Sequence, residues 1–175
     1  ISVPCLFFIF ETLNFDKNYL MHLTVGTAFT ITIFTSTVSV MTHHKNKLVD
    51  FSVVKTFGIF VVIGVLLGTV FASVMKTKIL VLFFSVVVYF FGAYLMLAQE
   101  KIKKIKPNPS LFLRVIFGVI SGFISAPMGI TGAMMNVPIL RYLGYPISKC
   151  IGSAAAIGFF ISFTGSIGFL ISGFY

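Results

Sequence analysis

The sequence predicts an all-α polytopic membrane protein, a helical bundle with two weak inverted repeats and one broken, re-entrant element rich in Gly and Pro. Three observations carry that prediction. Hydrophobic residues make up 58% of the 175 residues and charged residues 10%, with a mean hydropathy of +1.07. A soluble core of this length cannot bury so much apolar surface. The windows 23–42, 56–75, 79–98, 115–140 and 150–175 contain no Asp, Glu, Lys, Arg or His, and each can cross ~30 Å of hydrocarbon as a helix. Finally, residues 125–146 read SAPMGITGAMMNVPILRYLGYP, so Pro127, Gly129, Gly132 and Pro138 interrupt a stretch that should be a continuous helix.

Taken in order, residues 1–10 read as the remnant of a broken element. Helices follow at about 20–42, 52–75 and 78–98, and residues 1–98 together form the remainder of a first repeat. HHKNKLVD (43–50) and KTK (76–78) are short loops, and 99–110 is a basic loop stopped by Pro107 and Pro109. Residues 111–175 begin a second repeat, with a broken element at 111–146 and a helix at 150–175. The start at Ile-Ser-Val-Pro and the end at Phe174-Tyr175 are read as cut edges of a longer reading frame.

The net charge of +9 resides mostly in loops, so it is read as a topology signal and not as a nucleic-acid surface. Lys45, Lys47, Lys55, Lys101, Lys103, Lys104, Lys106 and Arg114 fall on one side, against Lys17, Lys76 and Lys78 on the other. The first side is expected to be cytoplasmic, placing loops 43–50 and 99–110 there. Cys5 and Cys150 have no Cys or His at ligand spacing, and His22, His43 and His44 lie at loop edges. No metal, cofactor or enzyme activity is expected from such a set. The charge-free span centres also disfavour a carboxylate proton relay, which leaves dipoles, hydroxyls and amides to bind a substrate.

In a lipid-facing helix Pro127 and Pro138 would free carbonyls that no water could satisfy, so this backbone should be buried in protein or line a cavity. The expectation is two shorter helices, 111–126 and 133–143, joined near membrane mid-depth. A half-helix starting near Thr131 would aim N–H groups and partial positive charge into the bundle, making an anion site without a cation. The structural alternative is a kinked or Gly-packed helix with no ligand.

SVPCLFFIF near the start is echoed by NVPILRYLG near the end. Each precedes a helix expected to open with Gly and a hydroxyl residue, Gly26-Thr27 in the first and Gly152-Ser153 in the second. If 111–143 enters and returns on one side, Arg141 and Lys149 join the basic side and the two copies are inverted, as in many secondary transporters. Thr32, Thr35, Ser36 and Ser39 share a helical face that reads either as a pathway lining or as backbone-directed packing, and Gly58, Gly64, Gly68 and Ala72 read as a close-packing face.

GVISGFISAPMGITGAMMNVPILRYLG followed by IGSAAAIGFFISFTGSIG resembles the second-repeat signature of the sulfite exporter TauE/SafE family. Val3-Pro4, residues 22–51 and VVVYFFGAYLML (86–97) resemble parts of its first repeat. Thr131 and Ala133 stand where that pattern has glycines. The resemblance implies a cell-membrane permease for a small anion such as sulfite, a short organosulfonate or a related carboxylate. Carried onto this chain, the substrate-binding candidates are Gly26, Thr27, Gly129, Thr131, Gly132, Asn136, Pro138, Gly152 and Ser153. The expected partners are the anion, the bilayer and either further copies or missing chain segments. The alternative is a truncated, partner-dependent membrane subunit with no transport of its own.

Overall fold

A computed structural model describes residues 2–97, 111–130 and 133–172. They form seven helices: α1 Ser2–Thr12, α2 Leu20–Lys45, α3 Phe51–Val74, α4 Thr77–Leu97, α5 Leu111–Met128, α6 Ala133–Tyr142 and α7 Ile147–Ser172. Four of them, α2, α3, α5 and α7, are long and apolar enough to cross a membrane. The chain is an all-α polytopic membrane protein. The basic loop 99–110 and the terminal residues 173–175 lie outside the described residues.

Four helices end in the same hydrogen-bonded cap, in which a residue at positive φ lets two N–H groups satisfy the last carbonyls. At α5, Gly129 has φ 61°, the Gly129 N–H reaches the Ala126 carbonyl, and the Ile130 N–H reaches the Ser125 carbonyl, both at 3.4 Å. Gly144 closes α6 in this way, Asn14 closes α1 and Lys47 closes α2. The Phe10 and Phe15 rings, 5.2 Å apart, add the apolar contact that accompanies such a cap at α1.

The tightest packing joins α3 and α5. A Cβ on Gly64 would strike the Val119 carbonyl oxygen, and one on Gly122 would strike the Val61 carbonyl oxygen. A Cβ on Gly68 would lie 2.6 Å from the Phe123 oxygen, and one on Gly118 2.8 Å from the Phe60 Cβ. Two small-residue faces at i, i+4 spacing therefore interlock backbone to backbone, which is how helices associate where lipid removes the hydrophobic drive. Positions along the two helices rise together, so α3 and α5 run parallel.

The second pairing is α2 on α7. Gly26 faces Phe169, Gly165 faces Phe29, and the Thr30 and Ser166 hydroxyls are 3.1 Å apart. Numbers rise on one helix as they fall on the other, so these 26-residue helices are antiparallel. Each is preceded by a short helix containing Val-Pro, α1 against α2 and α6 against α7.

The hydroxyl face of α2 serves its own backbone. Thr32, Thr35 and Ser36 donate to carbonyls three or four residues earlier, the usual use of Ser and Thr in membrane helices. α7 begins at Ile147, directly after Pro146, whose carbonyl accepts the Cys150 N–H at 2.9 Å. Gly152-Ser153 therefore lies in its second turn, not at its opening.

Candidate functional site

α5 and α6 form a hairpin that reverses direction. Were residues 111–142 one continuous helix, Ser121 and Asn136 would be separated by ~22 Å. Instead the Ser121 hydroxyl donates to Asn136 Oδ1 at 2.5 Å, and Ser125 Oγ lies 3.9 Å from Met135 Sδ. Both ends of the hairpin sit at the end of the bundle that holds loop 46–50. There Arg114, in the first turn of α5, donates to Thr56 Oγ1 at 3.1 Å and to the Tyr145 hydroxyl, beyond α6, at 3.4 Å. Lys149 Nζ, at the start of α7, is 3.6 Å from Asp50 Oδ2. The expected in-and-back path is what the backbone follows.

The causes are local. Pro127 withdraws the N–H that would hold the Phe123 carbonyl, and Gly129 supplies the left-handed turn that ends the helix. The turn is closed by other elements, since a Cβ on Gly129 would lie 3.1 Å from Val3 Cγ2 of α1 and 3.4 Å from Val25 Cγ1 of α2. Val25 is in the second turn of α2, so the turn sits toward the far end of the bundle and not at mid-depth. What occupies mid-depth is the Ser121–Asn136 pair, because Gly122 meets Val61 and Val65 near the middle of α3.

That pair is closed from solvent. Ser121 and Asn136 are 0% exposed and Ser125 is 1% exposed. Asn136 Nδ2 is buried and has no hydrogen-bond acceptor among the described residues. Leaving such a donor unmade costs about 1–3 kcal/mol. α6, with its positive dipole end at Ala133, starts one turn before Asn136. A void of ≈ 10 Å³ adjoins the hairpin, lined by Phe91, Ser125, Met128, Ile130, Met134 and Met135.

The sequence-predicted residues separate into groups. Gly129 and Asn136 belong to the hairpin, while Thr131 and Gly132 lie outside the described residues. Pro138 is on α6 but lines a different, apolar cleft of ≈ 520 Å³ with Phe90, Phe91, Phe117, Ile139 and Tyr142. Gly26 packs on α7, 3.5 Å from Phe169 to its would-be Cβ. Thr27 lies on the α2 face of Leu23, Ile31 and Phe34, all exposed, and not on the face of Val25 that meets Gly129. Gly152 lets α7 touch the Leu48 carbonyl, and Ser153 Oγ accepts the Asp50 N–H at 3.0 Å. Gly152 and Ser153 thus fasten the 46–50 turn, away from Asn136.

Sequence reasoning missed Ser121 and Ser125. The signal available was their i, i+4 spacing on the helix that precedes the break, one turn apart on the face that a reversing chain must cover.

Comparison with known proteins agrees with this architecture. The family model for sulfite exporter TauE/SafE matches residues 1–175. The chain is 25% identical over 168 residues to a protein of Methanocaldococcus jannaschii described as a probable membrane transporter protein, covering 95% of this chain and 62% of that relative. It therefore spans about three-fifths of the relative's length. No solved structure matches. With a family match along the whole chain, laid over a membrane bundle with a Gly/Pro re-entrant hairpin, the chain belongs to the sulfite exporter TauE/SafE family.

Proposed function

We propose that these residues form part of a secondary transporter that moves a small anion, such as sulfite, a short organosulfonate or a related carboxylate, across the cell membrane. The observation that carries the reading is Asn136 Nδ2, a buried donor with no acceptor among the described residues, held level with the middle of α3. An oxyanion supplies the missing acceptor, and the α6 N-terminus adds favourable partial charge without a buried cation. The description of the archaeal relative as a membrane transporter supports the same direction.

Alternating access follows from how the hairpin is divided. α5 is interlocked with α3, whereas α6 packs mainly on α7 and only sparsely on α5. α7 is itself packed on α3, so the movement that opens the Ser121–Asn136 pair is proposed for α6, which is free to shift against α5 without melting a helix. In this reading α1–α2 and α6–α7 are inverted counterparts, and the end bearing loop 46–50 faces the cytoplasm, where Lys45, Lys47, Lys55, Arg114, Arg141 and Lys149 gather. Thr131 and Gly132, between the two half-helices, belong to the proposed ligand path.

The test is anion flux in vesicles carrying the full reading frame that contains these residues, with sulfite, methanesulfonate and acetate as probes. Saturable flux is expected, reduced about tenfold or more in Asn136→Leu through loss of a hydrogen bond to a charged ligand. No flux of any probe from correctly inserted protein rejects transport of this class. Flux untouched by Asn136→Leu keeps transport and moves the site elsewhere.

A further inference from the structure

We propose that the Ser121–Asn136 site accepts only anions carrying a single negative charge, so that sulfite passes as hydrogensulfite and divalent oxyanions are refused. The inference rests on the transport reading above and deepens it by fixing the charge of the substrate.

Among the described residues, the groups able to face the ligand are all neutral. They are the Asn136 amide, the Ser121 and Ser125 hydroxyls and the first-turn N–H groups of α6. Residues 115–140 contain no ionisable side chain. The ionisable groups on the packed elements point elsewhere or stand at the ends. Arg114 is engaged with Thr56 and Tyr145, Lys149 with Asp50, and the His22 Nε2 lies 2.9 Å from the Ala72 carbonyl at the opposite end. Lys55 is near the start of α3, and Lys76 and Lys78 flank the start of α4. Arg141 is the closest in sequence, but five residues after Asn136 it is rotated by roughly 140° about α6, and it is exposed.

Such a site discriminates by charge because its two energies scale differently. Attraction to fixed dipoles grows in proportion to the ionic charge, while the cost of leaving water grows with its square. Doubling the charge doubles the first and quadruples the second. No Lys or Arg between residues 115 and 140 offsets the larger desolvation cost of a divalent anion.

The experiment measures flux above that of empty vesicles while pH is raised at fixed total sulfite, with methanesulfonate, which stays monovalent throughout, as the internal control. Sulfite flux is expected to fall about tenfold per pH unit once sulfite loses its second proton, with methanesulfonate flux constant and sulfate flux at background. Sulfite flux that holds or rises with pH beside constant methanesulfonate flux overturns the inference and leaves transport standing. Sulfate flux comparable to that of methanesulfonate does the same. Absence of flux for every anion overturns both the inference and the transport reading.

Discussion

A methyl group on Gly122 would overlap the Val61 carbonyl oxygen, and one on Gly64 the Val119 carbonyl oxygen. These obstacles are backbone atoms, so the helices must separate if either glycine is replaced. Gly122→Ala is expected to lower stability by about 3 kcal/mol, read as denaturant resistance of the purified protein in detergent. Gly92 of α4 provides the contrast, because no described residue lies within 4 Å of its would-be Cβ, and Gly92→Ala should change stability by less than about 0.5 kcal/mol. Gly129→Ala is penalised differently, by about 1–2 kcal/mol for an L side chain at positive φ, with Val3 close enough to add to it. At this scale the sequence was informative about backbone and silent about partners. Gly64, Gly68, Pro127 and Gly129 could be read from residue type and spacing. The Ser121–Asn136 bond could not, because a Ser in an apolar helix ordinarily bonds its own backbone, as Ser36 does.

Among the elements, the 46–50 turn is the point where the α2–α3 connection is fastened to α7. Asp50 caps α3 by accepting the Ser52 N–H at 3.1 Å, offers its own N–H to Ser153 and faces Lys149. Asp50→Ala removes the cap and the pairing together, and a loss of about 1 kcal/mol is expected from the cap alone, measured by thermal aggregation in detergent. Ser153 was selected from the sequence as a ligand group because it follows a Gly in an apolar helix. Its observed partner is 103 residues away in sequence, a distance that no local pattern encodes. The helix boundaries themselves were legible to within a few residues, since α2, α3 and α4 each begin and end at charged or polar breaks. The start of α7, expected at residue 150, is at Ile147, directly after Pro146.

For the molecule as a whole, the reversing hairpin determines which residues share a side of the membrane. In a background of Cys5→Ser and Cys150→Ala, Asn46→Cys and Lys149→Cys should react with an impermeant thiol reagent from the same side, and Asp16→Cys from the other. If 111–142 crossed once, Lys149→Cys would react together with Asp16→Cys. The hairpin also bears on how the chain is made. During synthesis, residues 111–128 emerge as a segment apolar enough to be integrated as an ordinary span, which would strand all that follows on the wrong face. In the proposed orientation, Arg141 and Lys149 supply the positive charge expected to keep the far end of the hairpin from being translocated. Replacing both with Ala is therefore expected to raise the share of misrouted chains more than it weakens a correctly inserted protein.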